Sequence, residues 1–282
     1  YEYAKEDIEV VHASEIIDMG DVPTVAIKDK KDSSLVVAMR LVREGKADAL
    51  VSAGSTGAVL VGGQLVVGRL KGIKRPPLAP FIPTTKGFSL LIDCGANVDA
   101  RPEHLVQFAQ MGSIYYENVM GKKNPTVALL NIGTEEEKGN QLVKDTKPLM
   151  KECKNINYIG SVEARELASG AADVIVCEAF VGNVVLKFFE GLALTLFGSL
   201  KEGLMSSTRT KLGALLVKPA LKGLKNQFDT SSQGGAPLLG LKGLVVKAHG
   251  NSSSKEIEIA LKQCISFKKQ KINEKIKESI CD

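Results

Sequence analysis

The stretch "FSLLIDCGANVDARPEHLVQFAQMG", residues 88–112, decides how the chain is read. It opens on a short apolar run, breaks at Cys94, Gly95, Ala96 and Asn97, and continues with apolar residues at helical spacing. A strand that is apolar on both faces is covered on both sides, and the helix after it supplies one cover. The same pairing recurs outward along the chain. The runs "IEVVH" (8–12), "ADALVSAG" (47–54), "TVALLNIG" (126–133), "ADVIVCEA" (172–179) and "GLVVKAHG" (243–250) predict further buried strands. Helical spacing lies in "SSLVVAMRLVREGKA" (33–47), "EEEKGNQLVKDTKPLMKEC" (135–153) and "VEARELASGA" (162–171). A repeated β-α order with right-handed crossovers predicts one α/β domain over residues 1–282, a doubly wound, three-layer, mostly parallel sheet.

In such a sheet ligands collect where strands end. Five strand ends here share one chemistry. They are Gly54-Ser55-Thr56-Gly57, the loop 94–99 with Asn97 and Asp99, the loop 132–140 with Gly133 and Thr134, the loop 178–183 with Asn183, and 247–253 with Lys247, His249, Asn251 and Ser252. Glycine permits close backbone approach, while Ser, Thr and Asn add donors beside free helix N–H groups, a combination suited to an anion. For any single loop a plain turn and helix cap is the better explanation; repetition over five strand ends shifts the balance toward the anion. None of the five spells a phosphate-binding G-x-x-x-x-G-K-[ST] loop or a complete G-x-G-x-x-G dinucleotide fingerprint.

Composition narrows the class further. The chain has 282 residues, 44% hydrophobic, with a net charge of +5. Five cysteines at scattered positions without C-x-x-C spacing predict reduced thiols and no zinc site. Tryptophan is absent and aromatics make up 5%, poor material for stacking on nucleic acid. No uninterrupted apolar run reaches membrane-spanning length, and the first residues carry no signal-peptide pattern, so a soluble chain in the cytoplasm is expected. Residues 191–229 interrupt the alternation as a helical hairpin, with a break near Ser206 and Ser207 and a kink available at Pro219. Its second arm places Leu212, Leu215, Leu216, Ala220, Leu221 and Leu224 largely on one face, with Arg209, Lys211, Lys218, Lys222 and Lys225 around them. That pattern suits a membrane interface or a packed partner helix. The segment 253–280 reads as one amphipathic helix with a lysine-rich outer face.

The motifs "KKDSS" (30–34), "VSAGSTGA" (51–58), "LIDCGANVDARPEHLVQFAQMG" (91–112), "LLNIGTEEEKGN" (129–140), "CEAFVGNVVLKFFEG" (177–191) and "GGAPLLGLKGLVVKAHGNS" (234–252) resemble, in that order, the bacterial phosphate acyltransferase (PlsX) family. The resemblance covers nearly the whole chain. It implies an isocitrate dehydrogenase/phosphotransacetylase-like fold, and transfer of a long-chain acyl group from acyl carrier protein to inorganic phosphate for phospholipid synthesis. It also implies a homodimer, no metal or other cofactor, peripheral membrane association and a membrane glycerol-phosphate acyltransferase that takes the product. Members begin with a strand and an acidic, glycine-rich loop that this sequence is not expected to contain.

Within that resemblance, and its extension to phosphotransacetylases, Lys247 is expected to bind phosphate or the oxyanion, and His249 to position phosphate or protonate the leaving thiolate. Asn183 and, one helical turn on, Lys187 are expected to reach phosphate or the acyl carbonyl. Gly54, Ser55, Thr56, Gly57, Asn97, Gly133, Thr134, Asn251 and Ser252 complete the expected phosphate cradle, with Asn97 and Asp99 also expected to organise their own loop. Arg209, Lys211, Leu215, Leu216, Lys218 and Lys222 are expected to touch a membrane or the carrier. Glu135, Glu136 and Glu137 are placed in the first turn of a helix, where negative charge is favourable. Cys94 is read as structural, because no histidine is paired with it in sequence. The alternatives are a phosphotransacetylase acting on acyl-coenzyme A, or an inactive membrane-associated scaffold that binds the carrier.

Overall fold

The computed structural model describes residues 5–228 and 234–280, except for the side chains of Lys5 and Lys225. Asp229, the expected end of the hairpin, and Cys281 lie outside the described residues. The strands are β1 (Ala49–Ser52), β2 (Phe81–Thr84), β3 (Gly87–Ile92), β4 (Thr126–Asn131), β5 (Asn157–Glu163), β6 (Val174–Val176), β7 (Ala236–Pro237) and β8 (Leu244–Lys247). The α-helices are α1 (Pro23–Asp29), α2 (Ser34–Arg43), α3 (Thr56–Gly62), α4 (Pro102–Met120), α5 (Gln141–Glu152), α6 (Ala179–Met205), α7 (Thr208–Gln227), α8 (Ser254–Lys269) and α9 (Ile272–Ile280).

The strands form two sheets where the sequence reading drew one. One has the order β1-β8-β7, the other β2-β3-β6-β4-β5. The parallel character holds for β1–β8, β3–β6, β6–β4 and β4–β5, while β2 and β7 pair antiparallel at their edges. One buried cluster nevertheless joins residues of both sheets. Leu90, Ile92, Val174 and Val176 share it with Leu244 and Val246, through Phe108, Met111 and Tyr115 of α4 and Ala260 and Phe267 of α8. Each large side chain so buried contributes roughly 1.5–3 kcal/mol. The Tyr115 hydroxyl, fully buried, accepts from Gln263 Nε2 at 2.6 Å, so α4 and α8 are tied by a polar contact inside an apolar layer. Close packing depends on Gly112, where a Cβ would come within 2.8 Å of Val174 Cγ1 and lift α4 from β6.

Several elements differ from the sequence reading. Residues 8–12 form no strand; they are exposed, and no described strand lies beside them to complete a ladder. The segment 162–171 folds as a short 3-10 helix, Ala164–Ser169, closed by Gly170 in the left-handed region. The segment 253–280 is two helices, because Lys271 takes a positive φ of 53° between them. Glu135, Glu136 and Glu137 lie in the loop before α5, which Asn140 caps by accepting from Val143 N at 3.0 Å. The hairpin starts earlier than residue 191: α6 leaves the end of β6 directly and turns at Ser206 and Ser207 into α7, which continues through Pro219. By length and composition α6 could cross a membrane, and very little of it is buried. A count of uninterrupted apolar residues missed this because Lys187 and Glu190 break the run.

Candidate active site

Strand order brings two of the five glycine loops together at the end of the smaller sheet. Ser52 lies beside Lys247 in the parallel register of β1 and β8, and Ala248 N–H continues the ladder to the Ser52 carbonyl at 2.9 Å. From there Gly54 N–H turns back to Ser52 Oγ at 3.2 Å, and the buried Ser55 caps α3. Thr56 is exposed at the first helical position, and Gly57 packs under Pro23, so the entry to α1 leans on this loop. Met19 lies near Gly250, bringing a segment that the sequence reading did not single out to the same place.

Lys247 is the half-buried cation of this group. Burial holds its ammonium below the usual lysine range. Its Nζ donates to the Ala248 carbonyl, a contact that an anion would exchange for a charged one. His249 is exposed beyond the end of β8, so strand alternation does not set its direction. Its Nδ1 accepts from Asn251 N–H at 3.3 Å and its carbonyl from Ser252 N–H at 3.1 Å, which leaves Nε2 as the donor. Ser253 then caps α8 in a reciprocal pair with Glu256.

The larger sheet presents the other three loops. Asp93, fully buried at the end of β3, accepts from the backbone N–H groups of Leu78, Gly95, Ala96 and Asn97 and from Asn97 Nδ2, at 2.8–3.2 Å. Burial raises its carboxyl pKa against the pull of those donors. Asn97 gives its amide hydrogens to Asp93 and to the Pro76 carbonyl, so the buried side chain organises this loop from inside. The Asn97 carbonyl receives Ala179 N–H at 3.1 Å, and Gly182 lies so near Asp93 that a Cβ would sit 1.9 Å from its carbonyl oxygen. The first turn of α6 is thereby locked onto the end of β3. Asn183 is half-buried and Lys187 exposed, one turn apart on that helix.

Cys94 and Cys177 lie in the same place, both buried, their thiols pushed far above the usual range first by burial. A thiol held neutral is a poor nucleophile, which agrees with a structural Cys94. The loop 131–140 is built from within: Asn131 Nδ2 donates to the Gly133 and Lys138 carbonyls, and buried Lys147 donates to the carbonyls of Glu135, Glu136 and Lys138 at 2.7–3.0 Å. Gly133 is buried and Thr134 exposed. Lys147→Met is expected to cost roughly 2–4 kcal/mol by stranding the Glu136 carbonyl and removing one bond each from the Glu135 and Lys138 carbonyls, read as a lower urea midpoint. A loss below about 0.5 kcal/mol would show that this loop is held by something else.

Among the described residues no group of three His, Cys, Asp or Glu side chains is placed to hold a metal ion. The arrangement offers a half-buried cation, backbone N–H groups at strand ends and an imidazole donor, which together can hold a small anion and steady an oxyanion.

The protein is matched over residues 1–275 by the model of a family described as "Fatty acid synthesis protein". It is 54% identical over 280 residues to a phosphate acyltransferase of Alkaliphilus oremlandii, covering 99% of this chain and 83% of that one. It is 52% identical over 281 residues to the phosphate acyltransferase of Clostridioides difficile, covering 99% and 82%. Among solved structures, a phosphotransacetylase from Streptococcus pyogenes superposes with a TM-score of 0.58 at 18% identity, covering 86% of this chain and 69% of that one. A branched-chain phosphotransacylase from Enterococcus faecalis gives 0.53 at 17%, covering 83% and 78%. These structures share the α/β fold with this chain, and the sequence matches go further: the protein belongs to the phosphate acyltransferase family and is an acyltransferase of lipid synthesis that uses phosphate as acceptor.

Proposed function

We propose that the protein takes a long-chain acyl group from acyl carrier protein and passes it to inorganic phosphate held at the Lys247 end of β8. The observation that carries this reading is the half-buried Lys247 set between the Ser52–Gly57 and Ala248–Ser253 turns. Phosphate is already a nucleophile, so positioning and charge suffice. A phosphate oxygen attacks the thioester carbonyl, the new C–O bond forms, and the C–S bond breaks as Lys247 and Asn183 steady the oxyanion. His249 Nε2–H hydrogen-bonds the departing sulfur, and the proton carried by the attacking hydrogen phosphate ends on the thiolate. The products are acyl phosphate and free carrier.

The test is incubation with palmitoyl-acyl carrier protein and phosphate, with hydroxylamine trapping of acyl phosphate. Product from the carrier thioester is expected; product from acyl-coenzyme A alone would favour a phosphotransacetylase, and none from either donor a scaffold. A pH profile adds an independent check. Lys247 must be charged to hold phosphate, so KM for phosphate is expected to rise as pH climbs through a pKa below the ordinary 10.5, with acid conditions preserving affinity. Lys247→Arg, charged throughout, is expected to abolish that alkaline limb. An unchanged limb in that variant would assign it to another group.

The hairpin α6–α7 completes the reading. Leu194, Leu212, Leu215 and Leu216 are exposed on it, the last at 84%, beside the exposed Arg209, Lys211, Lys218 and Lys222. Such a surface suits a second copy along α6 and an anionic lipid surface at the tip, from which acyl phosphate reaches a membrane acyltransferase. This surface supports the reading of a cytoplasmic, peripherally membrane-associated homodimer. Leu215→Asp with Leu216→Asp is expected to lower binding to phosphatidylglycerol vesicles at least tenfold in a flotation assay. Equal binding would move the membrane contact elsewhere.

A further inference from the structure

A cleft of about 790 Å³ opens between the helical turn Gly63–Val67, the loop after it and the start of α4. Arg69, Lys74, Arg75 and Arg101 line it, against the carboxylates of Asp99 and Glu103. Two of the cations are already engaged: Lys74 lies 3.7 Å from Glu103, and the Arg69 guanidinium donates to the Lys74 carbonyl. Arg75 and Arg101 are exposed and form no ion pair among the described residues. The wall carrying them is fixed in advance, because Gln107 accepts from Lys74 N–H and donates to the Gly72 carbonyl, both at 2.9 Å.

A second, independent feature lies in the same cleft. His104 is only 7% exposed, and its Nδ1 accepts from Arg101 N–H at 3.1 Å. That bond fixes the proton on Nε2, which has no partner among the described residues. Burial, opposed by Glu103 and reinforced by Arg75, Lys74 and Arg101, holds the ring below the usual histidine pKa. The cleft thus presents a buried neutral donor beside two unpaired guanidinium groups, a set suited to the planar, bidentate recognition of a phosphoryl group. It also shares a wall with the strand-end loops, since Asn97 binds the carbonyl of Pro76, the neighbour of Arg75.

We propose that this cleft is a second anion subsite, separate from the Lys247 end of β8, and that it holds the phosphate group of the acyl donor's phosphopantetheine arm. The inference rests on the reading that the donor is a carrier thioester. Two phosphoryl sources share this chemistry, the arm and free inorganic phosphate, and the cleft's place beside Asn97 rather than Lys247 favours the arm.

The test uses the full chain and its Arg75→Ala, Arg101→Ala double variant. The probes are 4′-phosphopantetheine, pantetheine, and holo- and apo-acyl carrier protein in titration calorimetry. The parent is expected to bind phosphopantetheine over pantetheine and holo- over apo-carrier by about tenfold or more, and the variant to lose both preferences. Its KM for acyl carrier protein should rise by the same factor while KM for phosphate stays within twofold. Preferences kept intact in the variant would overturn the proposal. So would a rise in KM for phosphate alone, which would assign the cleft to the free anion, or an equal loss of holo- and apo-carrier, which would make it a contact for the carrier's acidic surface. His104→Gln, which keeps an N–H donor, should retain more of the phosphopantetheine preference than His104→Ala; equal losses would count against the imidazole's part. Phosphopantetheine binding is read without turnover, so a chain that formed no acyl phosphate would fail the functional reading and leave this subsite separately tested.

Discussion

Lys247→Ala is expected to leave the chain folded and to lower kcat/KM for phosphate by about two to three orders of magnitude, the loss usual when one group that stabilises developing charge is removed. The side chain is half-buried at a strand end and contributes its ammonium to no structural ion pair among the described residues, so truncation removes little packing. Its hydrogen bond to the Ala248 carbonyl is worth only about 1 kcal/mol in stability. Activity and stability should therefore separate. Hydroxylamine-trapped acyl phosphate and a thermal melt, measured on the same preparation, give both numbers. Turnover within a factor of three of the parent would remove Lys247 from the chemistry. His249→Ala should lose less, about one to two orders of magnitude, because solvent can hydrogen-bond a thiolate leaving group.

Gly182→Ala carries the largest structural penalty. A Cβ there would sit 1.9 Å from the Asp93 carbonyl oxygen, and no rotamer change relieves a contact with backbone. The end of β3 cannot yield, because the Asp93 carboxylate anchors the N–H groups of residues 95–97 and of Leu78. Helix α6 must move instead, taking Asn183 and Lys187 with it. The expected cost is roughly 3–5 kcal/mol, at the severe end for one substitution. It should appear as a large drop in the urea midpoint together with loss of turnover in whatever fraction stays folded. A cost under about 1 kcal/mol would mean that α6 is not locked to β3 as described.

Much of this fold was legible in the sequence because buried strands and amphipathic helices leave separate periodicities. The β-α order from "ADALVSAG" to "GLVVKAHG" reads directly, as do the turn at Ser206 and Ser207 and the helix after residue 102. Pairing was not legible. Apolar runs state that a strand is buried, not which neighbour buries it, so nothing in "GLVVKAHG" separated it from the sheet that holds "FSLLIDCG". The run "IEVVH" has strand propensity without a described partner, and β2 escaped notice because Pro83 sits inside a four-residue strand. Among the proposed site residues, Lys247 and its glycine turns were nominated from strand-end position. Asn97 was read both as an organiser of its loop, which its bonds to Asp93 and the Pro76 carbonyl bear out, and as a phosphate ligand. The cleft cations were missed because the search for charge settled on the hairpin. Its signal was present in "KGIKRPP" (71–77) and "ARPEH" (100–104), two basic segments beside prolines.

The most direct test of the account is where phosphate binds. A crystal structure with phosphate bound is expected to show the anion against Lys247 Nζ, within hydrogen-bond reach of the Gly54–Thr56 turn and the Gly250–Ser252 turn. Phosphate seated only at the loop 132–140, with Lys247 still on the Ala248 carbonyl, would contradict it.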